Sequence, residues 1–236
     1  FTDLLPHLSA EQREKSSAKA IEGEDLDLLI GSIPAADTDK EAVKANILAL
    51  LKDRYGIDEE DFISAELEIV PQGAARTMGL DKSMILAYGQ DDRICAYASM
   101  LALLEAAQPM KKTGVVLLVD KEEIGSVGAT GMQSNMFENA VAEVMNAMGD
   151  YSELKVRRAL QNSNMLSNDV CALHDPIYAG VSSPNGNMPV MGGGAALMKY
   201  TGAAGKSRSN DANAEYLDKL RKIFDDAGLI WQMAEL

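Results

Sequence analysis

Cysteine, histidine, aromatic side chains and positive charge are all scarce in this sequence, and each scarcity removes a class of answer. Two cysteines, Cys95 and Cys171, cannot build a disulfide framework, so a reducing, cytoplasmic setting is the expectation. Lysine and arginine number 22 against 36 aspartates and glutamates, for a net charge of −14. That balance speaks against a nucleic-acid partner, which demands a basic face, and against an anionic membrane surface. No apolar run approaches the ~20 residues of a spanning helix, and no basic-then-apolar signal segment stands at the start. What is present is ordinary for a globular chain: 236 residues, 47 % hydrophobic and 25 % charged. That is enough for one large domain or one and a half smaller ones. The ends carry a further expectation: FTDLLPHLSAEQ opens without Met and GLIWQMAEL closes on an apolar run, as an internal piece of a longer chain would.

Along the chain, the texture changes once. Residues 1–80 read as a first region, with a short helical stretch at 9–20, the acidic segment 22–27, and a helix capped by Thr38 with Glu41 and stopped by Gly56. FISAELEIV (62–70) alternates apolar with acidic residues and predicts a half-buried strand. From 81 to 236 apolar strand-like runs alternate with helical patterns. Strands are predicted at 84–88, 115–119, 165–173, 194–200 and 229–233, and helices at 91–108, 135–148, 153–161 and 210–226. This alternation predicts an α/β fold, a mostly parallel or mixed sheet flanked by helices, whose ligands gather beyond the carboxyl ends of the strands.

Three of those strand ends are acidic. MILAYGQ runs into Asp91-Asp92, GVVLLVDK into Glu122-Glu123, and MLSN into Asp169. An acid after a strand is often only the cap of the next helix, and Asp91 or Asp92 fits that reading. Three such clusters on one sheet edge would repel one another unless a cation held them, and hard oxygen donors suit a divalent metal. In the pair Glu122-Glu123, one carboxylate can bind metal while its neighbour stays free to move a proton. Gly125, Gly128 and Gly131 follow, and either bring backbone close to the site or simply tighten a loop.

The strings YGQDDR (88–93), VDKEEIGSVGATG (119–131) and SNDVCALHDP (167–176), with KYTGAAGKSRSNDANAEY (199–216) and IWQMAEL (230–236), resemble the aspartyl aminopeptidase and aminopeptidase I family of dinuclear zinc peptidases. The resemblance spans essentially the whole chain. It implies a catalytic α/β domain at 81–236, preceded at 1–80 by part of a smaller inserted domain. It further implies peptide substrates that lose their N-terminal residue to a water activated by two divalent ions, zinc first, with cobalt or manganese as alternatives. Asp91 becomes the carboxylate bridging the metals, Glu122 the general base, and Glu123 and Asp169 ligands to one metal each. The assembly implied is a homo-oligomer, a dodecamer built from dimers. The family also uses two histidine ligands, and neither His7 nor His174 stands at a matching position. The chain by itself is therefore expected to hold zinc weakly or not at all and to lack activity.

Other motifs fit less well. In GAAGKS (202–207) the place of the first glycine of a phosphate loop, five positions before Gly205, is taken by Tyr200. Cys171 and His174 have the spacing of half a zinc site, and no second pair accompanies them. Two rival functions stay open at this level: a catalytically inactive α/β assembly protein of the same fold, and a magnesium-dependent phosphoryl-transfer enzyme, which would need the phosphate loop.

Overall fold

The computed structural model describes residues 2–181, 188–200 and 210–235. The chain divides into two units, Phe1–Val70 and Pro71–Leu236.

In the first unit, α1 (Ala10–Glu14) is followed by two short 3₁₀ turns and then α2 (Ala42–Tyr55). The cap predicted at Thr38 is not formed. Helix α2 begins at Ala42 behind Glu41, and the Thr38 hydroxyl accepts instead from the nearby Lys40 N–H at 3.2 Å. The end falls at Gly56, where a left-handed residue donates its N–H to the Lys52 carbonyl at 3.0 Å. Val43, Ile47, Leu48 and Leu51 of α2, with Ile30 and Phe62, line an apolar hollow of about 310 Å³. The strand predicted at 62–70 is absent. Residues Glu59–Ile63 form a 3₁₀ turn, with the Asp58 N–H bonded to Asp61 Oδ2 at 2.8 Å, and 64–70 carry no regular element. Alternation alone does not make a strand: Leu67 is 71 % exposed and, among the described residues, no neighbouring strand pairs with this segment.

The second unit opens with an antiparallel hairpin, β1 (Arg76–Met78) against β2 (Met84–Leu86), with Thr77 opposite Ile85. Its loop is held by Asp81, which accepts from both the backbone N–H and the hydroxyl of Ser83 at 3.2 and 2.9 Å. Those bonds, the hydroxyl's first, lower the Asp81 pKa. Helix α3 (Gln90–Leu104) follows at once. After α4 (Met136–Ala147) comes α5 (Glu153–Gln161), started by the Ser152 hydroxyl accepting the Lys155 N–H at 3.2 Å. These two helices pack together, and Val156 on α5 is 3 % exposed.

The last part is a βαβ unit. β3 (Ala195–Met198) and β4 (Trp231–Ala234) pair in parallel, with α6 (Ala214–Asp226) as the crossover that a parallel pair requires. Helix α6 begins at Asn213, whose side chain accepts the Tyr216 N–H at 3.0 Å, later than the start predicted at 210. Gln232 fixes the approach to β3, accepting from the Val190 N–H at 3.0 Å and donating to the Val190 carbonyl at 3.1 Å.

The fold is thus mixed α/β, with helices around small sheets, as the alternation of elements predicts. The extent of the sheet is a correction. Among the described residues the strands form two separate pairs, one antiparallel and one parallel. The runs at 115–119 and 165–173, predicted as strands, carry no strand. A ladder needs a neighbour as well as a propensity. The glycines at 202 and 205, in the loop weighed as a phosphate cradle, lie outside the described residues.

The packing yields a stability test. Val156→Ala should lower the unfolding free energy by about 2 kcal/mol. Leu154→Ala, at a position 56 % exposed, should change it by less than about 0.5 kcal/mol. Urea unfolding of both variants would show the difference, and equal effects would mean that α5 buries a different face.

Candidate metal centre

The turn from β2 into α3 is made by Gly89, which takes a left-handed φ of 73° that other residues adopt at a cost. The Arg93 side chain lies where a Cβ on Gly89 would stand, its Nε only 2.9 Å from that point, so space and conformation both call for glycine. The guanidinium of Arg93 sits over the Tyr88 ring at 5.5 Å, bracing the same corner. The following two residues, Asp91 and Asp92, are joined by a cis peptide and leave helical geometry, with φ of −86° and −121°. Gly89 itself offers no side-chain cap to the helix.

Asp169 follows the short stretch Met165-Leu166-Ser167-Asn168. One carboxylate oxygen from each of Asp91, Asp92 and Asp169 lies within 4.8 Å of the others. Asp91 and Asp169 are exposed, and Asp92 is half-buried. Oδ1 of Asp92 is buried without a hydrogen-bond partner. A carboxylate oxygen withdrawn from water in this way carries an unmet demand for positive charge. Three hard oxygen donors around such an atom fit a divalent cation.

Cys95 lies one turn along α3. Its thiol hydrogen-bonds to the Asp92 carboxylate, and its pKa is pushed up to about 12, first by burial, then by that bond and by the charges of Asp92, Asp169 and Asp91. Asn168, beside Asp169, donates from Nδ2 to the Ser99 hydroxyl at 3.1 Å. Both Cys95 and Ser99 are on α3, four residues apart and therefore on one face.

Glu122 and Glu123 are built differently. They stand, both exposed, on a 3₁₀ turn (Glu122–Ile124) inside a loop that is tied back on itself. The Ser126 N–H donates to the Lys121 carbonyl at 2.7 Å, the Asp120 N–H to the Thr130 carbonyl at 3.3 Å, and the Gln133 side chain to the Gly125 carbonyl at 2.6 Å. Gly131 closes the loop: a Cβ there would sit 2.2 Å from the Ser126 carbonyl oxygen. Of the two roles open to these glycines, Gly131 serves the tight loop. Asp120, at the loop's base, has its pKa lowered chiefly by the Lys121 N–H.

The structure therefore gathers two of the four residues selected from sequence, Asp91 and Asp169, and adds Asp92. Glu122 and Glu123 lie outside that group, as do Cys171 and His174. In the sequence, Asp91 or Asp92 reads as a possible helix cap, and Asp92, Asn168, Ser99 and Cys95 are not among the expected site residues. The available signal was the spacing Asp92, Cys95, Ser99, which places three polar groups along one side of a helix.

Three carboxylates converging at the start of a helix form a donor set that suits a divalent cation. The model of the family described as Aminopeptidase I zinc metalloprotease (M18) matches residues 2–236, and the chain belongs to that family. A protein of Clostridium acetobutylicum named "Probable M18 family aminopeptidase 1" is 56 % identical over 236 residues, covering 100 % of this chain and 50 % of that protein. One of the same name from Thermotoga maritima is 46 % identical over 235 residues, covering 99 % and 51 %. The crystal structure of an M18 family aminopeptidase from Thermotoga maritima superposes with a TM-score of 0.89 at 45 % identity, over 99 % of this chain and 51 % of that one. Aminopeptidase I from Clostridium acetobutylicum gives a TM-score of 0.85 at 54 % identity, over 100 % and 50 %. The chain spans about half the length of these relatives.

The raised thiol pKa gives a direct prediction. Cys95 should stay protonated at pH 8 and react with iodoacetamide far more slowly than a free cysteine, whose pKa is about 8.5. Mass spectrometry of the folded protein, with the urea-unfolded protein as reference, measures the ratio. Equal rates in the two states would mean that the thiol is not buried against Asp92.

Proposed function

We propose that this chain carries the carboxylate part of the metal centre of an aminopeptidase that removes the N-terminal residue of peptides. The single observation that supports it most is the convergence of Asp91, Asp92 and Asp169 around a buried, unsatisfied oxygen, in a chain of a zinc metalloprotease family.

The residues that would hold zinc in this reading are Asp91, as the ligand shared by two ions, with Glu123 and Asp169 as ligands to one each. Zinc bound there would supply Lewis acidity. Glu122 would act as the general base, taking a proton from the attacking water and returning it to the leaving amine. Exposure of Glu122 on its turn is compatible with such proton traffic. The negative charge of Asp91, Asp92 and Asp169 draws the cationic N-terminus of a peptide toward the centre, which directs attack to the first bond. A strongly acidic chain gives no footing to nucleic acid. Among the described residues no helix is long and apolar enough to cross a membrane. We place the whole protein in the cytoplasm as a homo-oligomer, a dodecamer built from dimers, with residues 1–80 contributing to the assembly domain. The two histidine ligands of the resemblance are not His7 or His174, so the complete gene product is the form to assay.

Two substitutions in that gene product test the roles. Glu122→Gln should keep the zinc content per subunit while lowering kcat by 100-fold or more, on the order of general-base contributions elsewhere. Loss of zinc in that variant would exchange the roles of Glu122 and Glu123. Asp91→Asn should release both ions, and elemental analysis that still finds two per subunit would remove Asp91 from the bridging role.

A further inference from the structure

Asp169 and Asn168 are consecutive residues, and they meet α3 at two heights. Asp169 comes within 4.8 Å of Asp91 and Asp92 at the start of the helix. Asn168 bonds to Ser99 at 3.1 Å two turns further along. Between these points stands Cys95, which is bonded to Asp92. The segment carrying Asp169 has no ladder bonds to hold it, since 165–173 forms no strand among the described residues. Asp169 is exposed, and the charges of Asp91 and Asp92 push against it. From the next residue along, the Asn168 amide on the Ser99 hydroxyl ties this segment to the helix that bears Asp91 and Asp92.

We propose that the Asn168–Ser99 hydrogen bond is a positioning clamp: it fixes the segment that bears Asp169 onto α3 and so sets the distance between the metal-binding carboxylates. The proposal rests on the reading of Asp91 and Asp169 as metal ligands. Asn168 and Ser99 touch neither substrate nor metal in it. They act through Asp169 alone, and their chemistry suits the task, because a neutral amide and a neutral hydroxyl hold the segment without competing for a cation.

The test is zinc affinity of the complete gene product, measured by competition with a chromophoric zinc indicator, alongside the thermal midpoint. Removing groups that orient a metal ligand typically lowers affinity by about 10- to 100-fold. Asn168→Ala and Ser99→Ala should each weaken zinc binding within that range. The double variant should be no weaker than either single one, since both remove the same bond. Ser99→Thr, which keeps the hydroxyl, should restore wild-type affinity. Thermal midpoints should stay close to the wild type, because the bond is solvent-accessible. Asp169→Asn serves as the reference for loss of a ligand. Unchanged affinity in Asn168→Ala and Ser99→Ala, with affinity lost in Asp169→Asn, overturns the clamp and leaves the ligand reading intact. Affinity unchanged in Asp169→Asn as well overturns both. Additive losses in the double variant, or a Ser99→Thr variant as weak as Ser99→Ala, would also overturn the clamp.

Discussion

Like charge held at short range is the constraint on which this molecule's chemistry depends. Three carboxylates within 4.8 Å of one another repel by roughly 1 kcal/mol per pair in bulk water and roughly 3 kcal/mol where the effective dielectric is about 20. Nothing in local backbone preference rewards such an arrangement. It is maintained by two devices, a glycine turn that delivers Asp91 and Asp92 at the head of α3, and a side-chain tie that delivers Asp169 to the same place. In the proposed reading, a divalent cation is the partner that would convert this repulsion into binding.

How far this was legible in the sequence differs residue by residue. Asp91 and Asp169 could be found because each follows a short apolar run, and a strand-like run that stops at an acid points to a ligand edge. Asp169 comes within 4.8 Å of Asp91 and Asp92 although 165–173 forms no strand among the described residues, and the neighbouring Asn168 contacts α3 through Ser99. Asp92 was harder: an acid in the first turn of a helix normally serves the dipole, and only the geometry, with a buried and unpartnered oxygen, separates the two roles. Glu122 and Glu123 illustrate the reverse case. Their adjacency and their position after an apolar run are plain in the sequence, whereas the orientation of their turn depends on Gly131 lying under the Ser126 carbonyl, a contact between residues five apart in a loop without periodicity.

Helices were read better than strands for a related reason. An α-helix satisfies its own backbone, so α2, α4, α5 and α6 appear where a period of 3.6 and their flanking residues place them, within a few positions at the ends. A strand's hydrogen bonds belong to its neighbour. The runs at 62–70, 115–119 and 165–173 have the composition of strands, but composition states only what a pleated surface would accept. The runs that did form strands are those that found a partner: β2 pairs with β1 across a tight turn, and β3 with β4 across the helix α6.

The bracing of the site also bears on what it can bind. Along α3 the groups that hold the acidic residues are a thiol on Asp92 and a hydroxyl taking the amide of Asn168, all uncharged donors and acceptors. A lysine or arginine in the place of Cys95 would hold Asp92 more strongly, through a charge-assisted bond, and would cancel the charge on which a cation depends. A neutral donor gives up that strength and keeps the field. The thiol is apt for the position in a second respect. It is a weak donor, so the bond it makes to Asp92 can lengthen when a cation pulls on the same carboxylate, without leaving a strong buried donor unsatisfied. Neutral bracing and an open carboxylate oxygen are therefore one design: the protein fixes where the anions are while leaving their charge for the ligand.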